Sequence, residues 1–252
     1  MRIKERKGNR EENMNHKKDK HKKDSHRYKI DDPIFTMQEY DLDYENNEIY
    51  LIGAREYSAG TGSDGDEEPG VEHIMAGRFI KNLQTLIKKK GDDPILIHMK
   101  TCGGHWAEGM AIYDAIRLCP KHVTILSYTH ARSMSSLIFL AAHRRIMMPH
   151  STFMFHEGTM FGGGTVKQYL TEAVEVKKAG DQMLGVYIDN LKQQGSKKSW
   201  SRKRLKEWLI KEMAYKEEVY FDSKEAVKIG FADEVFDGDW DNLKGKKNKG
   251  EE

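Results

Sequence analysis

Short apolar segments with the character of β-strands alternate with longer segments of helical periodicity between residues 48 and 235. In the first helical segment, apolar residues recur every three or four positions from Ile74 to Ile87, and the pattern ends at a basic stretch before Gly91. The next segment, residues 94–99, is short, apolar and opened by a proline, which predicts a buried strand. Because strands and helices alternate in this way, the sequence predicts an α/β fold.

The remaining elements continue this alternation without an internal sequence repeat. Strands are predicted at 48–53, 94–99, 123–128, 145–148, 152–155 and 232–235, with one more short strand before the last helix, and helices at 74–87, 105–118, 133–142, 165–194, 201–213 and 223–229. The apolar residues of the helix at 165–194 are too widely spread for one stripe. This spread is compatible with burial on two sides or with packing inside the chain.

Charge is unevenly distributed along the 252 residues, although the net charge is only +2. Residues 1–30 hold twelve Lys or Arg and five Asp or Glu, which gives +7. This segment has too few apolar residues to offset its ordering entropy by burial, so we expect a disordered basic arm. We expect a single domain over 31–238, an acidic loop over 57–70 and a charged tail over 239–252. Nucleic acid is not expected as a partner.

Several function classes lack the sequence features that they require. No run approaches the ~18 apolar residues of a membrane span, and the N-terminus lacks the apolar core of a signal peptide. The two cysteines, Cys102 and Cys119, match no zinc pattern and fit a reducing compartment, so we expect a cytoplasmic protein. A Gly-rich loop ending in Lys-Ser or Lys-Thr does not occur, so the chain itself is not expected to hydrolyse ATP. We expect no metal and no other cofactor.

Ser133 follows an apolar strand and opens an apolar helix. Such a junction exposes the hydroxyl group, and the N–H groups that follow it can stabilise negative charge, so the position suits a nucleophile. Serine is also a common helix cap, and the position suits that role as well. Three other features accompany it: a Gly103-Gly104 turn after a strand, His156 at the end of a strand, and an acidic pair at 217–218. Each alone has an ordinary structural interpretation, but their order along the chain favours a catalytic site.

Four stretches, 103–114, 131–134, 147–156 and 225–233, together resemble the proteolytic subunit of the Clp protease, within the wider fold family that includes the crotonases. The resemblance extends over about residues 45–237, and a phage-type member is one version of it. It implies a spiral of β-β-α units with a protruding long helix, the handle, at about 162–194.

The resemblance implies a Ser-His-acid serine endopeptidase. Ser133 matches the nucleophile of the family and His156 its general base. The family has an aspartate as the third member, and Glu218 stands at that place; Glu217 or Asp222 would serve if the alignment shifts.

The resemblance also implies an oxyanion hole and an assembly. Gly104, together with Gly103, and the N–H group of Met134 match the oxyanion-binding groups. The resemblance implies that the chain forms a homo-oligomer, either a heptameric ring or a double ring. It also implies a separate AAA+ unfoldase of the Clp type that uses ATP and delivers substrates to the ring. The substrates would be peptides and unfolded proteins.

The chain also departs from the family pattern, and other functions remain open at this point. Cys102 replaces a proline before the glycine pair, and Arg132 replaces an alanine beside the nucleophile. One alternative is a crotonase-type acyl-CoA enzyme, which needs the glycine turn but not Ser133 and His156 together. Another is a catalytically silent ring or scaffold subunit.

Overall fold

The structure, a computed structural model, describes residues 32–52, 70–159 and 163–244. The predicted basic arm at 1–30 lies outside the described residues, as does almost all of the predicted acidic loop at 57–70.

The described chain forms α-helices and β-strands in alternation, which confirms the predicted α/β class. The helices are α1 (Pro33–Tyr40), α2 (His73–Lys88), α3 (Trp106–Arg117), α4 (Met134–Leu140), α5 (Val166–Gln193), α6 (Arg202–Lys216) and α7 (Ser223–Ile229). The strands are β1 (Leu42–Asp43), β2 (Glu48–Ile52), β3 (Ile95–Thr101), β4 (Val123–Arg132), β5 (Arg144–Met147), β6 (Thr152–Phe155), β7 (Val219–Asp222) and β8 (Glu234–Val235).

The eight strands form one sheet that branches at β4. The main path runs β1-β2-β3-β4-β5-β8, and all of its pairs are parallel except β1 with β2. The first half of β4 pairs with β5, whereas its last residues, 130–132, pair with residues 152–154 of β6. Strand β7 then adds to β6 in the antiparallel direction. The last three residues of β4 therefore belong to a second branch of the sheet, formed with β6 and β7.

The central strands are buried because helices cover them, as parallel sheets require. In β3 every residue except Lys100 is buried. Helix α2 packs Phe79, Leu83 and Leu86 into the main core, which also includes Ile116 of α3. The apolar residues whose spacing predicted α2 therefore include those on the buried face of this helix.

Helix α5 is the predicted handle, and its two halves differ in burial. The large apolar and aromatic residues in the first half of the helix are exposed: Val166, Tyr169, Leu170, Val174 and Val176. The residues near its end are buried in the core: Met183, Leu184, Tyr187, Ile188 and Leu191. The wide spread of apolar residues thus combines a buried end with an exposed apolar beginning.

Three short features were not predicted. Helix α1 begins at Pro33, and the carboxylate of Asp32 accepts a hydrogen bond from the N–H of Ile34. Strand β1 has only two residues. Residues 240–242 form a 3-10 turn, and Leu243 is buried with Leu96 and Leu126, although 239–252 was expected to be a charged tail. One leucine in a charged segment produces no periodicity that could predict this contact.

Candidate active site

Ser133 lies at a strained junction between β4 and α4. Its backbone angles are φ 51° and ψ −129°, and positive φ is uncommon for a residue with a side chain. The N–H of Ser133 donates to the carbonyl of Met154 at 3.1 Å, so the junction is held against β6.

The hydroxyl of Ser133 does not cap helix α4. Ser133 is the N-cap residue, but its side chain makes no capping hydrogen bond. Oγ instead lies 2.8 Å from Nε2 of His156. The position at the start of the helix was therefore predicted correctly, whereas the capping role expected of its side chain is wrong.

Two further serines and a tyrosine hold the junction in place, and sequence reasoning missed all three. Ser135 Oγ lies 2.9 Å from the carbonyl of Thr101, which ties α4 to β3. Ser136 Oγ donates to the carbonyl of Ser133 at 2.7 Å and also lies 2.7 Å from the hydroxyl of Tyr187. Because the proton of Ser136 is used toward Ser133, Tyr187 must be the donor in the second bond.

Tyr187 connects the handle helix to the Ser133 junction. Its side chain is among the largest fully buried ones, and burial raises the pKa of its hydroxyl, which therefore stays protonated. A buried tyrosine hydroxyl normally finds a partner. From the sequence, Tyr187 could be recognised as a tyrosine on the buried face of α5. Its hydrogen-bond partner could not be predicted.

His156 follows the last residue of β6 and is half-buried. Burial lowers the pKa of its imidazole, and the neighbouring carboxylates of Glu218 and Glu217 raise it by less, so that the net direction is downward. A neutral imidazole has one acceptor nitrogen. His156 can therefore accept the proton of Ser133 at neutral pH.

Glu218 lies beside His156 because of the register between β6 and β7. The pairs run from Thr152 with Asp222 to Phe155 with Val219, so one further step places His156 opposite Glu218. The carboxylate of Glu218 accepts a hydrogen bond from the hydroxyl of Tyr220 at 2.8 Å. Within the described ranges, no hydrogen bond joins Glu218 to His156.

The two alternative acids have other surroundings. Asp222 caps α7, where its side chain accepts from the N–H of Glu225. Glu217 is exposed at the C-cap of α6 with φ 62° and acts on the His156 pKa only through its charge. Of the three carboxylates, Glu218 is the one that the sheet register places opposite the imidazole.

The glycine turn packs directly against Ser133. Gly103 has φ 104°, and a Cβ atom there would lie 2.7 Å from the Cβ of Ser133. Gly104 has φ 144°, and a Cβ atom there would collide with the backbone of Val71. Only glycine therefore fits at either position without a shift of the backbone.

Two N–H groups near Ser133 have no acceptor among the residues that the structure describes. They belong to Gly104 and Met134. Val71 uses the neighbouring groups instead, because its N–H donates to Gly103 and its carbonyl accepts from His105 at 2.9 Å. An oxyanion hole requires N–H groups close to the nucleophile that the fold leaves available to the substrate, and these two groups are the candidates.

The sequence profile of the Clp protease family matches residues 68–239. The chain belongs to the Clp protease family. It is 28% identical over 180 residues to an ATP-dependent Clp protease proteolytic subunit of Deinococcus radiodurans, covering 70% of this chain and 81% of the relative. A proteolytic subunit 2 from Thermobifida fusca is 27% identical over 174 residues, with 66% and 76% covered.

The fold of a Clp protease is also found by structural comparison. A mutant of ClpP1 from Listeria monocytogenes superposes with a TM-score of 0.60 at 19% identity, covering 80% of this chain and 96% of that one. The predicted spiral with its long handle helix is thereby confirmed. As a Clp protease, the chain is a serine-type endopeptidase, in a family of oligomeric rings that work with Clp ATPases.

The two departures from the Clp pattern lie next to the candidate nucleophile. Arg132 pairs with Met154 across the β4–β6 ladder, and Met154 pairs with Tyr220, so the three side chains share one face. The charge of Arg132 acts on the pKa of Tyr220 in the lowering direction. Cys102 is partly buried beside Gly70. Arg132 is therefore part of the surface that adjoins the Clp-type site.

The described part of the chain holds neither a metal-binding cluster nor a membrane-spanning helix. No cluster of three or more His, Cys, Asp or Glu side chains there could hold a metal ion. None of the helices within 32–52, 70–159 and 163–244 has the length and apolar character to cross a membrane.

Proposed function

We propose that Ser133, His156 and Glu218 are the catalytic residues of this Clp-family endopeptidase, and that Gly104 and Met134 form its oxyanion hole. The observation that carries the proposal is the 2.8 Å hydrogen bond between Ser133 Oγ and His156 Nε2. A nucleophile and a base within hydrogen-bond reach are the minimum for acyl transfer by a serine.

The chemistry follows from this arrangement. Neutral His156 takes the proton of Ser133 while Oγ attacks a peptide carbonyl, and the oxyanion that forms faces the N–H groups of Gly104 and Met134. The imidazolium then gives its proton to the leaving amine, and water releases the acyl group from Ser133. Glu218 stabilises the imidazolium by its negative charge, which already offsets part of the lowering of the His156 pKa by burial.

We further propose that the chain assembles into a heptameric ring, single or double, and that an AAA+ unfoldase of the Clp type feeds it with unfolded proteins. The exposed apolar residues at the start of α5, such as Leu170 and Val174, support a contact between copies. ATP would be used by the unfoldase and not by this chain. A cytoplasmic location also stays a prediction.

The test is covalent labelling with a fluorophosphonate probe, read by intact-protein mass spectrometry. We expect wild type to gain one adduct, Ser133→Ala none, His156→Ala almost none, and Glu218→Gln a slower reaction. The matched controls Ser199→Ala and His150→Ala change exposed residues outside the site and should label like wild type.

Two outcomes would overturn this assignment. Failure of assembled wild-type protein to label, with His156 intact, would favour a catalytically silent ring subunit. Turnover of a CoA thioester that survives Ser133→Ala would favour the crotonase-type reaction, which needs the oxyanion hole alone.

A further inference from the structure

The carboxylate of Glu218 is bound by Tyr220 and not by the histidine that it is expected to serve. Tyr220 Oη donates to Glu218 Oε2 at 2.8 Å. Glu218 is exposed, and Tyr220 is 50% exposed, so core packing does not force the two side chains together. The hydrogen bond therefore reflects the chemistry of the pair.

The sheet places two hydrogen-bond partners next to this carboxylate, one along the same strand and one on the neighbouring strand. Residues 218 and 220 are two positions apart, so in extended chain their side chains project from the same face of the sheet. The register of β6 and β7 places His156 opposite Glu218 and Met154 opposite Tyr220. Glu218 is thus flanked by the Tyr220 hydroxyl along its own strand and by the imidazole across the ladder.

The imidazole has a donor that lacks an acceptor in the part of the chain that the structure describes. Nε2 of His156 pairs with Ser133 Oγ. The tautomer that accepts from Ser133 carries its proton on Nδ1. No acceptor for this second nitrogen occurs within 32–52, 70–159 and 163–244, and the charges that act on the pKa of His156 are those of Glu218 and Glu217.

We propose that Tyr220 is a positioning residue that competes with His156 for the Glu218 carboxylate, and that the Ser133–His156 pair is fully active only when Glu218 exchanges Tyr220 for His156. This inference rests on the proposed function. The exchange would use rotation about the three side-chain torsions of Glu218, which is exposed.

The competition is biased by the charge of the imidazole. While His156 is neutral, it offers Glu218 a neutral donor of the same kind as the tyrosine hydroxyl. Once His156 takes the Ser133 proton, it becomes a cation, and its bond to the Glu218 carboxylate gains a charge–charge attraction that the neutral tyrosine hydroxyl cannot offer. The chemical step itself therefore draws Glu218 toward His156, against the hold of Tyr220.

The test is Tyr220→Phe, which keeps the ring and removes the hydroxyl. We expect the rate of fluorophosphonate labelling to rise about two- to tenfold, the range set by the loss of one competing hydrogen bond. The acid limb of the rate against pH should move to higher pH, because a carboxylate closer to the imidazole favours the imidazolium. The matched control is Tyr215→Phe, a tyrosine of α6 that is 85% exposed and should change neither quantity.

A second measurement does not depend on catalysis. Titration of His156 by NMR in the Ser133→Ala background should give a higher pKa with Tyr220→Phe than without it, and no such difference in the Glu218→Gln background. If the pKa rises as expected but the wild-type protein never labels, the positioning role stands and the proposed function fails. An unchanged pKa, or a lower labelling rate in Tyr220→Phe, would overturn the competition.

Discussion

At the scale of single residues, the protonation of His156 sets the pH range in which Ser133 can react. Burial lowers the pKa of the imidazole below its ordinary value of 6.5, and Glu218 opposes that shift. The base works only when neutral, so the labelling rate should be constant above neutral pH and fall with a midpoint below 6.5. In Glu218→Gln the midpoint should move lower still, because an opposing charge is removed. A wild-type midpoint above 6.5 would contradict this assignment.

Gly103 is a second residue whose role can be tested alone. In Gly103→Ala the new Cβ would lie 2.7 Å from the Cβ of Ser133 and 2.9 Å from the carbonyl of Arg132. We expect the junction to shift and to displace the N–H of Met134, so the labelling rate should fall by about 10²–10³, the range for loss of one oxyanion donor. Gly185→Ala is the control, since nothing lies within 4 Å of its added Cβ. Equal rates for the two variants would show that the glycine turn does not position Ser133.

Sequence reasoning predicted catalytic roles for Ser133 and His156 because each follows a recognisable strand and lies in a stretch that resembles the Clp pattern. Glu218 could be aligned with the family acid, but the interaction of its carboxylate with Tyr220 could not be predicted. That contact depends on two residues projecting from the same face of a strand only four residues long. The roles of Ser136 and Tyr187 were equally hidden, because they are 51 residues apart and meet only through packing.

At the scale of elements, Arg145 joins strand β5, helix α5 and the segment before β8. Its guanidinium is 5% exposed, pairs with Asp233 at 2.7 Å and donates to Asn190. Removing one partner of a buried pair leaves an uncompensated charge, so Arg145→Met should lower the free energy of unfolding in urea by about 3–5 kcal/mol. The exposed substitution Arg202→Met, at a pair that is mostly solvated, should cost less than about 1 kcal/mol. Similar losses for the two variants would argue against a buried ion pair.

The same pair predicts a dependence of stability on pH. Burial raises the pKa of Asp233, but its bonds to Arg145 and Gln194 outweigh burial, so that the folded pKa lies below the ordinary value of 3.8. The contribution of the pair is therefore present above pH 3.8 and is lost as the pH falls through the lower, folded pKa. Asp233→Asn should flatten the stability curve in this acid range, as measured by urea unfolding. A curve parallel to that of wild type would contradict the shift.

Long helices were predicted nearly to their ends, whereas short elements and a strand that pairs with two neighbours were not. The helix expected at 74–87 is α2 (His73–Lys88), and the one at 165–194 is α5 (Val166–Gln193). Strand β4 was expected to end at residue 128 but continues to Arg132. Its last residues form hydrogen bonds with β6 and not with β5, and sequence periodicity does not indicate a strand that pairs with two neighbours in turn.

At the scale of the whole molecule, the exposed apolar beginning of α5 should matter only for assembly. Leu170 is 62% exposed, so Leu170→Glu should leave the urea midpoint of the isolated chain unchanged. If this face is buried between copies, the same variant should lower the mass of the assembly in native mass spectrometry. Lys167→Glu, which adds negative charge at another exposed position of the same helix, is the control for the effect of charge alone. An assembly of unchanged mass in Leu170→Glu would place the contact elsewhere.

The pairing of β4 with β6 limits which changes of length this region can accept. Residues 130–132 align with 152–154, and that alignment sets how far Ser133 lies from His156. A single residue inserted between Met148 and Thr152 can be absorbed in the turn, whereas one inserted inside β6 would move His156 to the opposite face of the sheet. The number of residues between 152 and 156 should therefore stay the same among relatives of this chain.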